Sequence, residues 1–346
     1  MAGKRQHYLP QFLLSGFASK AVKEETYCWV YSSSGNTFEP NTKNIGVQGY
    51  FYGHPEKEVT DSIVTDTEKP FVPFVCQLRE CELDQRVDPK QAAEFAVHLA
   101  IRGRNVREDV STAAERLLQG FSEQTSDPNA LRALIIRYYR ENPQFTEEKF
   151  RELLRQGGRQ LSRREYLKTF AQYKALLPTM IKSLPDDEIR KVHSTLDVLA
   201  SHMRPSLEKG HNAAIAKKPV PPKRVAALKN LEWSLLGYPA NSLILGDSIG
   251  YTFGSESLGP CPLIYSTKKV RAVVFPISHE RLILGADPEW HYSPEPGEVN
   301  EYSAAVSRDY FVSSVKADDR QELARLIGSI RPTEFDSAVE SALQNT

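Results

Sequence analysis

The chain has 346 residues with 44 Lys/Arg and 44 Asp/Glu, so its formal charge is zero. At 40% hydrophobic and 25% charged residues it matches ordinary globular proteins, which excludes wholesale disorder, and its length excludes a domain too small to hold its own core. The zero is a cancellation. Residues 101–230 carry 25 basic and 15 acidic side chains, against 10 and 13 in residues 1–100 and 9 and 16 in residues 231–346. A basic middle suits an anionic partner such as nucleic acid, or docking on the acidic ends of the same chain.

The four cysteines, Cys28, Cys76, Cys81 and Cys261, form no C-x-x-C pair. Their spacing suits small buried thiols in a reducing compartment better than a zinc site. The start, MAGKRQHYLPQFLLSGF, turns from basic to apolar, but Gln6, His7, Pro10, Gln11 and Ser15 interrupt it, so it is not read as a signal peptide. No run reaches the ~20 apolar residues of a membrane span. A cytoplasmic protein with no membrane partner is expected.

In chain order, Thr26–Ser32 (TYCWVYS) is aromatic and β-branched, Ser33-Ser34-Gly35-Asn36 supplies turn chemistry, and Thr37-Phe38 resumes an extended stretch. This pattern predicts a β-hairpin. Residues 56–83 repeat apolar positions at helical spacing, with Pro70 and Pro73 expected to split the helix. Asp88-Pro89 is a helix start, and the helix is expected to run to about Asp109 with Phe95, Leu99, Arg102 and Val106 near one face. From Ser111 to about Arg204 the pattern is helical, broken at Asp127-Pro128, Asn142-Pro143, Gly157-Gly158 and Leu184-Pro185. Thr146, Glu147 and Glu148 suggest the capped start of an amphipathic helix. Residues 209–224, KGHNAAIAKKPVPPKR, look like an exposed basic linker or loop. LEWSLL, NSLILGD, KVRAVVFPI and ERLILGAD are then β-prone, and closing helices are expected near Glu301–Ser314 and Asp319–Ile330.

With β elements at both ends and helices between, the expected fold is α+β: one unit over residues 1–346, its N-terminal hairpin joining the C-terminal strands in a mixed sheet. The sub-regions are 1–55 (N-terminal motif and hairpin), 56–208 (helical and basic), 209–224 (linker) and 225–346 (β-rich with closing helices).

No P-loop, H-E-x-x-H or G-x-S-x-G occurs, and Gly246-Asp247-Ser248-Ile249-Gly250 lacks the dinucleotide fingerprint. The candidates are single residues. His7 sits in a stiff, apolar HYLPQFLLSGF segment and is either a general base or a group satisfying buried backbone. Asp247 ends an apolar strand, where both catalytic acids and ordinary turn formers occur. Glu68 lies in a helix before Pro70. Arg102, Arg104 and Arg107 are spread around a helix rather than clustered. Arg151, Arg155 and Arg159 lie four apart, followed by Arg163, Arg164 and Lys168, with Tyr166, Phe170 and Tyr173 interleaved. Basic and aromatic side chains together suit a single-stranded nucleic acid. The alternative is aromatics in the core and basic groups on the solvated side. His202 and His211 stand alone.

The opening H-x-x-P-Q-x-x-L-x-x-F (His7, Pro10, Gln11, Leu14, Phe17) resembles the start of the bacterial family called domain of unknown function 4238. The resemblance continues through Trp29-Val30-Tyr31, Tyr50-Phe51-Tyr52, the acid at Glu68, the arginine at Arg102, Trp233, Asp247, Phe275-Pro276-Ile277-Ser278 and Asn300, where a C-terminal helix should open. It departs where Ser-Asp-Asn-Pro is expected and Gly246-Asp247-Ser248-Ile249 stands. The resemblance implies a shared polar set, His7, Gln11, Glu68, Arg102, Asp247 and Ser278, which is either an active site or a buried structural network. As an active site it would suit phosphodiester hydrolysis: His7 as base, Asp247 and Glu68 as acids or ligands to a divalent metal, Arg102 as phosphate clamp. As a network it belongs to a non-enzymatic binding or interaction module.

Overall fold

A computed structural model describes residues 4–54, 59–83, 87–254, 259–263, 269–331 and 339–342. The chain forms two compact units, one from Met1–Val110 with Leu207–Phe335, the other from Ser111–Ser206 with described C-terminal residues. The division falls within the helices Arg104–Gln124 and Asp186–Lys217. The fold is α+β, with a large helical middle and antiparallel sheets built from the two ends of the sequence.

In the first unit, the predicted hairpin pairs Trp29–Ser32 with Thr37–Phe38. It is joined by Tyr310–Ser313 and then by Leu245–Gly246, making a four-stranded sheet from both chain ends. A separate five-stranded sheet runs in the order Pro260–Pro262, Tyr251–Gly254, Val270–Pro276, Arg281–Ala286, Glu232–Gly237. The helix expected over Glu301–Ser314 is instead Pro296–Val306 followed by the Tyr310–Ser313 strand. The YFVS residues are strand formers, and a helix–strand change of periodicity within fourteen residues is hard to place from pattern alone. Asn300 lies inside this helix; its side chain accepts from the Ile244 N–H and donates to the Ser242 carbonyl.

The helix Pro89–Arg102 is central. Asp88 caps it, its carboxylate accepting from the Gln91 N–H at 2.7 Å. Ten of its fourteen residues are buried, as a helix apolar around most of its circumference requires. Phe95 is the hub, with ring centroids at 5.2 Å from Phe71, 5.6 Å from Phe275, 6.0 Å from Phe74 and 6.2 Å from Phe12. The helix therefore packs both on the five-stranded sheet and on the N-terminal segment. It does not run on to Asp109: Gly103 is extended, and a new helix begins at Arg104. Thr60–Glu68 and Phe71–Glu80 are separated at Lys69-Pro70, as Pro70 predicted, while Pro73 sits in the first turn of the second helix, where its missing N–H costs nothing, and does not break it.

Residues 209–217 are not a linker. They are the last two turns of the helix ending at Lys217, and Pro222–Ala227 is helical again. Ile215 and Asn212 are buried there, which is why the helix persists despite the basic composition. No helix among the described residues is long and apolar enough to cross a membrane.

In the second unit the predicted breaks hold. Pro128–Glu141 starts at Asp127, Pro143–Gln156 at Asn142, and Arg163–Lys182 at a Ser162/Glu165 capping box. Thr146 is not a cap: it lies one turn in, buried, donating its hydroxyl to the Tyr139 carbonyl at 2.6 Å. All four cysteines are free thiols, and burial pushes the Cys28 thiol up to about 12.

Candidate functional site

Four of the six residues in the polar set meet around Arg102. Gly46, at φ +62°, turns the chain so that its carbonyl accepts the N–H groups of both Tyr8 and Leu9. This holds the short strand Arg5–His7 against Val47–Gly49. Pro10 then starts the short helix Gln11–Leu14, which places Gln11 over His7. The Gln11 amide donates to His7 Nε2 at 3.2 Å, which leaves the ring proton on Nδ1, near the Ile45 backbone. Burial, followed by the charges of Arg102 and Arg5, lowers the His7 pKa against that backbone contact, so the ring is neutral near pH 7.

Arg102 is 2% exposed, and each of its three guanidinium nitrogens faces an oxygen of another residue. It pairs with the Glu68 carboxylate, donates to the His7 carbonyl oxygen, and donates from Nε to the Tyr52 hydroxyl at 3.1 Å. The Tyr52 hydroxyl, whose pKa burial raises, donates to the same His7 carbonyl at 3.4 Å. Gln6, also buried, closes the ring by accepting from the Tyr52 N–H at 2.6 Å. His98 lies one helical turn before Arg102, with Nε2 3.6 Å from Glu68 and Nδ1 3.2 Å from the Pro219 carbonyl. Burial lowers its pKa to about 4.

A second buried network adjoins on the next helix. Arg107 donates to the Phe51 carbonyl and to Asn212 Oδ1, both at 2.6 Å, and lies 3.7 Å over the Phe51 ring. His211 Nε2 donates to the Ile101 carbonyl at 2.9 Å, so its Nδ1 lone pair accepts from Arg107 at 3.3 Å. Burial first and the Arg107 charge second lower the His211 pKa to about 4. Sequence reasoning left His98, His211, Arg107 and Asn212 out of the polar set. Only His98 carried a usable signal, its i−4 spacing from Arg102.

Asp247 sits apart from this cluster and is bound by backbone. One carboxylate oxygen accepts from the Arg308 N–H at 2.7 Å and from Asn105 at 3.4 Å. The other accepts from the N–H groups of Asp309 at 2.8 Å and Tyr310 at 3.4 Å. The carboxylate thus fastens the entry to the Tyr310–Ser313 strand beside its own strand. Burial raises its pKa against the Arg308 and Asp309 N–H groups. The link to the N-terminal segment is through Tyr310, whose hydroxyl lies 3.3 Å from that of Tyr8. The turn after it also departs from the Ser-Asp-Asn-Pro form: Ile249 has φ +71°, a value a proline ring cannot adopt.

Ser278 lies in the turn between Val270–Pro276 and Arg281–Ala286, where its hydroxyl accepts from the Glu280 N–H at 3.3 Å. Its neighbour Ile277 is held by Arg79, which donates to the Ile277 carbonyl and to the Leu13 carbonyl. The structure thus gathers His7, Gln11, Glu68 and Arg102 in one cluster and leaves Asp247 and Ser278 in two others. Among the described residues, no group of three or more His, Cys, Asp or Glu side chains could hold a metal ion. A 570 Å³ groove along the Glu232–Gly237 edge strand, lined by Trp233, Asp287 and Trp290, contains none of the six.

In the second unit the aromatics run inward. Phe150 is buried, with Tyr166, Phe170 and Tyr173 at 5.5, 5.3 and 5.1 Å from its ring, so they form the seam between two helices. Arg151 is paired with Glu147 at 2.7 Å and with the Tyr166 hydroxyl at 3.1 Å. Arg155, Arg159, Arg163, Arg164 and Lys168 are all exposed.

These features define an α+β protein with a buried arginine–carboxylate network and a separate basic helical unit. The chain belongs to the family described as Protein of unknown function (DUF4238), whose model matches residues 5–309. No curated protein and no solved structure shows significant similarity to it.

Proposed function

We propose that this protein is a nucleic-acid-directed binding module of the bacterial cytoplasm, with its contact surface on the helical unit. The observation that carries the reading is the corner between helices Pro143–Gln156 and Arg163–Lys182. Arg155, Arg159, Arg163, Arg164 and Lys168 are exposed there, and the one acid among them, Glu165, is engaged with Ser162 in a capping box. Upstream the charge is neutralised on the helix itself, through Glu147–Arg151 and Lys149–Glu152. From Arg155 to Lys182 seven basic residues face a single acid, the footprint a polyanion requires.

The polar set supports binding rather than phosphodiester hydrolysis. The Asp247 oxygens are taken by N–H donors, Glu68 is paired with Arg102, and the His7 Nε2 lone pair accepts from Gln11. Fluorescence anisotropy with labelled DNA and RNA, with and without Mg²⁺ or Mn²⁺, tests the reading. Salt-sensitive binding without cleavage, lost when Arg159, Arg163, Arg164 and Lys168 are changed to Gln, is the expected result. Cleavage abolished by Asp247→Ala in a folded protein would replace it with the hydrolase reading.

A further inference from the structure

We infer that the partner is a double-stranded nucleic acid contacted through its phosphates without regard to sequence, an inference that rests on the nucleic-acid reading above. Single strands are held by two devices together, a basic groove and aromatic faces on which bases stack, each stacked base being worth roughly 1–3 kcal/mol. Among the described residues, the basic corner has the first device without the second. Tyr166, Phe170 and Tyr173, which the sequence interleaves with the basic residues, are packed around the buried Phe150 ring. The Tyr166 hydroxyl is further tied to Glu147 at 3.0 Å, and Arg151 lies against its ring. Opening that seam would empty the core of the helical hairpin.

Among the described residues of the helical unit, the exposed aromatic is Tyr138, on the helix Pro128–Glu141 and outside the basic corner, its ring set edge-on to Phe145 at 5.2 Å. What the corner presents is cationic: four arginines and a lysine between residues 155 and 168, with a tight turn at Gly158 (φ +63°) between the two helices. Cations without stacking surfaces gain most from the ligand with the highest linear charge density. A duplex carries one charge per ~1.7 Å of axis and releases more counterions per contact than a single strand. Base-edge readout is not expected, because among the described residues Arg159, Arg163, Arg164 and Lys168 make no side-chain hydrogen bond or ion pair that would fix the orientation bidentate readout needs.

The test is a salt titration of the full chain with a labelled ~20-bp duplex, an unrelated duplex of equal length and the separate strands, from about 50 to about 200 mM salt. The duplexes should bind within about twofold of each other and about tenfold tighter than either strand. With five phosphate contacts the log–log salt slope should be about −4.5, so affinity falls about 500-fold over that range. Arg163→Gln with Arg164→Gln, both exposed, should flatten the slope by about 2 without shifting the thermal midpoint. Strands bound as tightly as duplex, or strand binding lost in Tyr138→Ala, would overturn the duplex inference and leave the nucleic-acid reading standing. Anionic vesicles bound with no nucleic acid bound at all would overturn both.

Discussion

Arg102 reaches His7 through the His7 carbonyl oxygen, not through its ring. The imidazole is turned instead toward Gln11, and the arginine is shared with Glu68 and Tyr52. A histidine and an arginine brought together in this way brace the N-terminal segment against the central helix. Three groups, the His7 carbonyl, the Tyr52 hydroxyl and the Glu68 carboxylate, converge on one buried cation at the end of the Pro89–Arg102 helix, so its loss should be felt as instability.

Gly46→Ala tests the turn that starts this arrangement. A Cβ at φ +62° is strained, and here it would land on the Leu9 side chain. Loss of about 2 kcal/mol is expected, since steric conflict adds to the conformational penalty. The urea midpoint should fall at unchanged slope; an unchanged midpoint would mean that the turn is not what sets the His7 segment.

Asp247→Ala leaves the N–H groups of Arg308, Asp309 and Tyr310 without their acceptor at a half-buried strand entry. The expected cost is about 3 kcal/mol, from several donors each worth about 1–3 when unpaired. An active-site carboxylate would behave otherwise, its removal leaving stability unchanged or raised. Thermal melting separates the two.

His211 makes stability depend on pH. Its folded pKa, about 4, lies below the ordinary 6.5 because burial and the Arg107 charge oppose protonation. Its contribution is therefore full above about pH 6.5 and is lost as pH falls through 4, at no more than about 1.4 kcal/mol per pH unit. His98, also lowered to about 4, acts in the same direction. Urea midpoints at pH 7 and 4.5 should drop less in His211→Gln than in the unaltered protein; equal drops would exclude the effect.

Phe150→Ala should cost about 3–5 kcal/mol, because Tyr166, Phe170 and Tyr173 all lose their common contact. Arg163→Gln and Arg164→Gln should stay within about 0.5 kcal/mol, as exposed substitutions do. Chemical denaturation of the three variants checks the contrast; a mild Phe150→Ala would mean that the aromatics are free to stack on bases.

Much of the architecture was legible in the sequence because local chemistry decided it. Asp88-Pro89, Asp127-Pro128 and Asn142-Pro143 start helices as written, and the Ser33–Asn36 turn closes its hairpin. A sheet shared by the hairpin and the C-terminal part was expected from strands at both chain ends, but the strand that pairs with it, Tyr310–Ser313, was hidden in what looked like a helix. Residues 209–217 misled for the opposite reason: basic composition suggested a loop, while burial of Asn212 and Ile215 keeps the helix. At the candidate site, His7, Gln11, Glu68, Arg102, Asp247 and Ser278 were named together; the first four meet, while Asp247 and Ser278 lie in two other clusters. What the sequence could not show is which atom of each is used. The His7 backbone oxygen, the Tyr52 hydroxyl and the N–H groups that fill Asp247 are matters of tertiary geometry.

The most direct measurement is a double-mutant cycle on Glu68 and Arg102 by equilibrium urea unfolding. If the pair is a structural brace, Glu68→Ala and Arg102→Met alone should each cost about 3–5 kcal/mol by stranding a buried charge, and the double variant should cost much less than their sum. Single variants that keep full stability, with costs that simply add, would contradict the account and return both residues to the candidate list for chemistry.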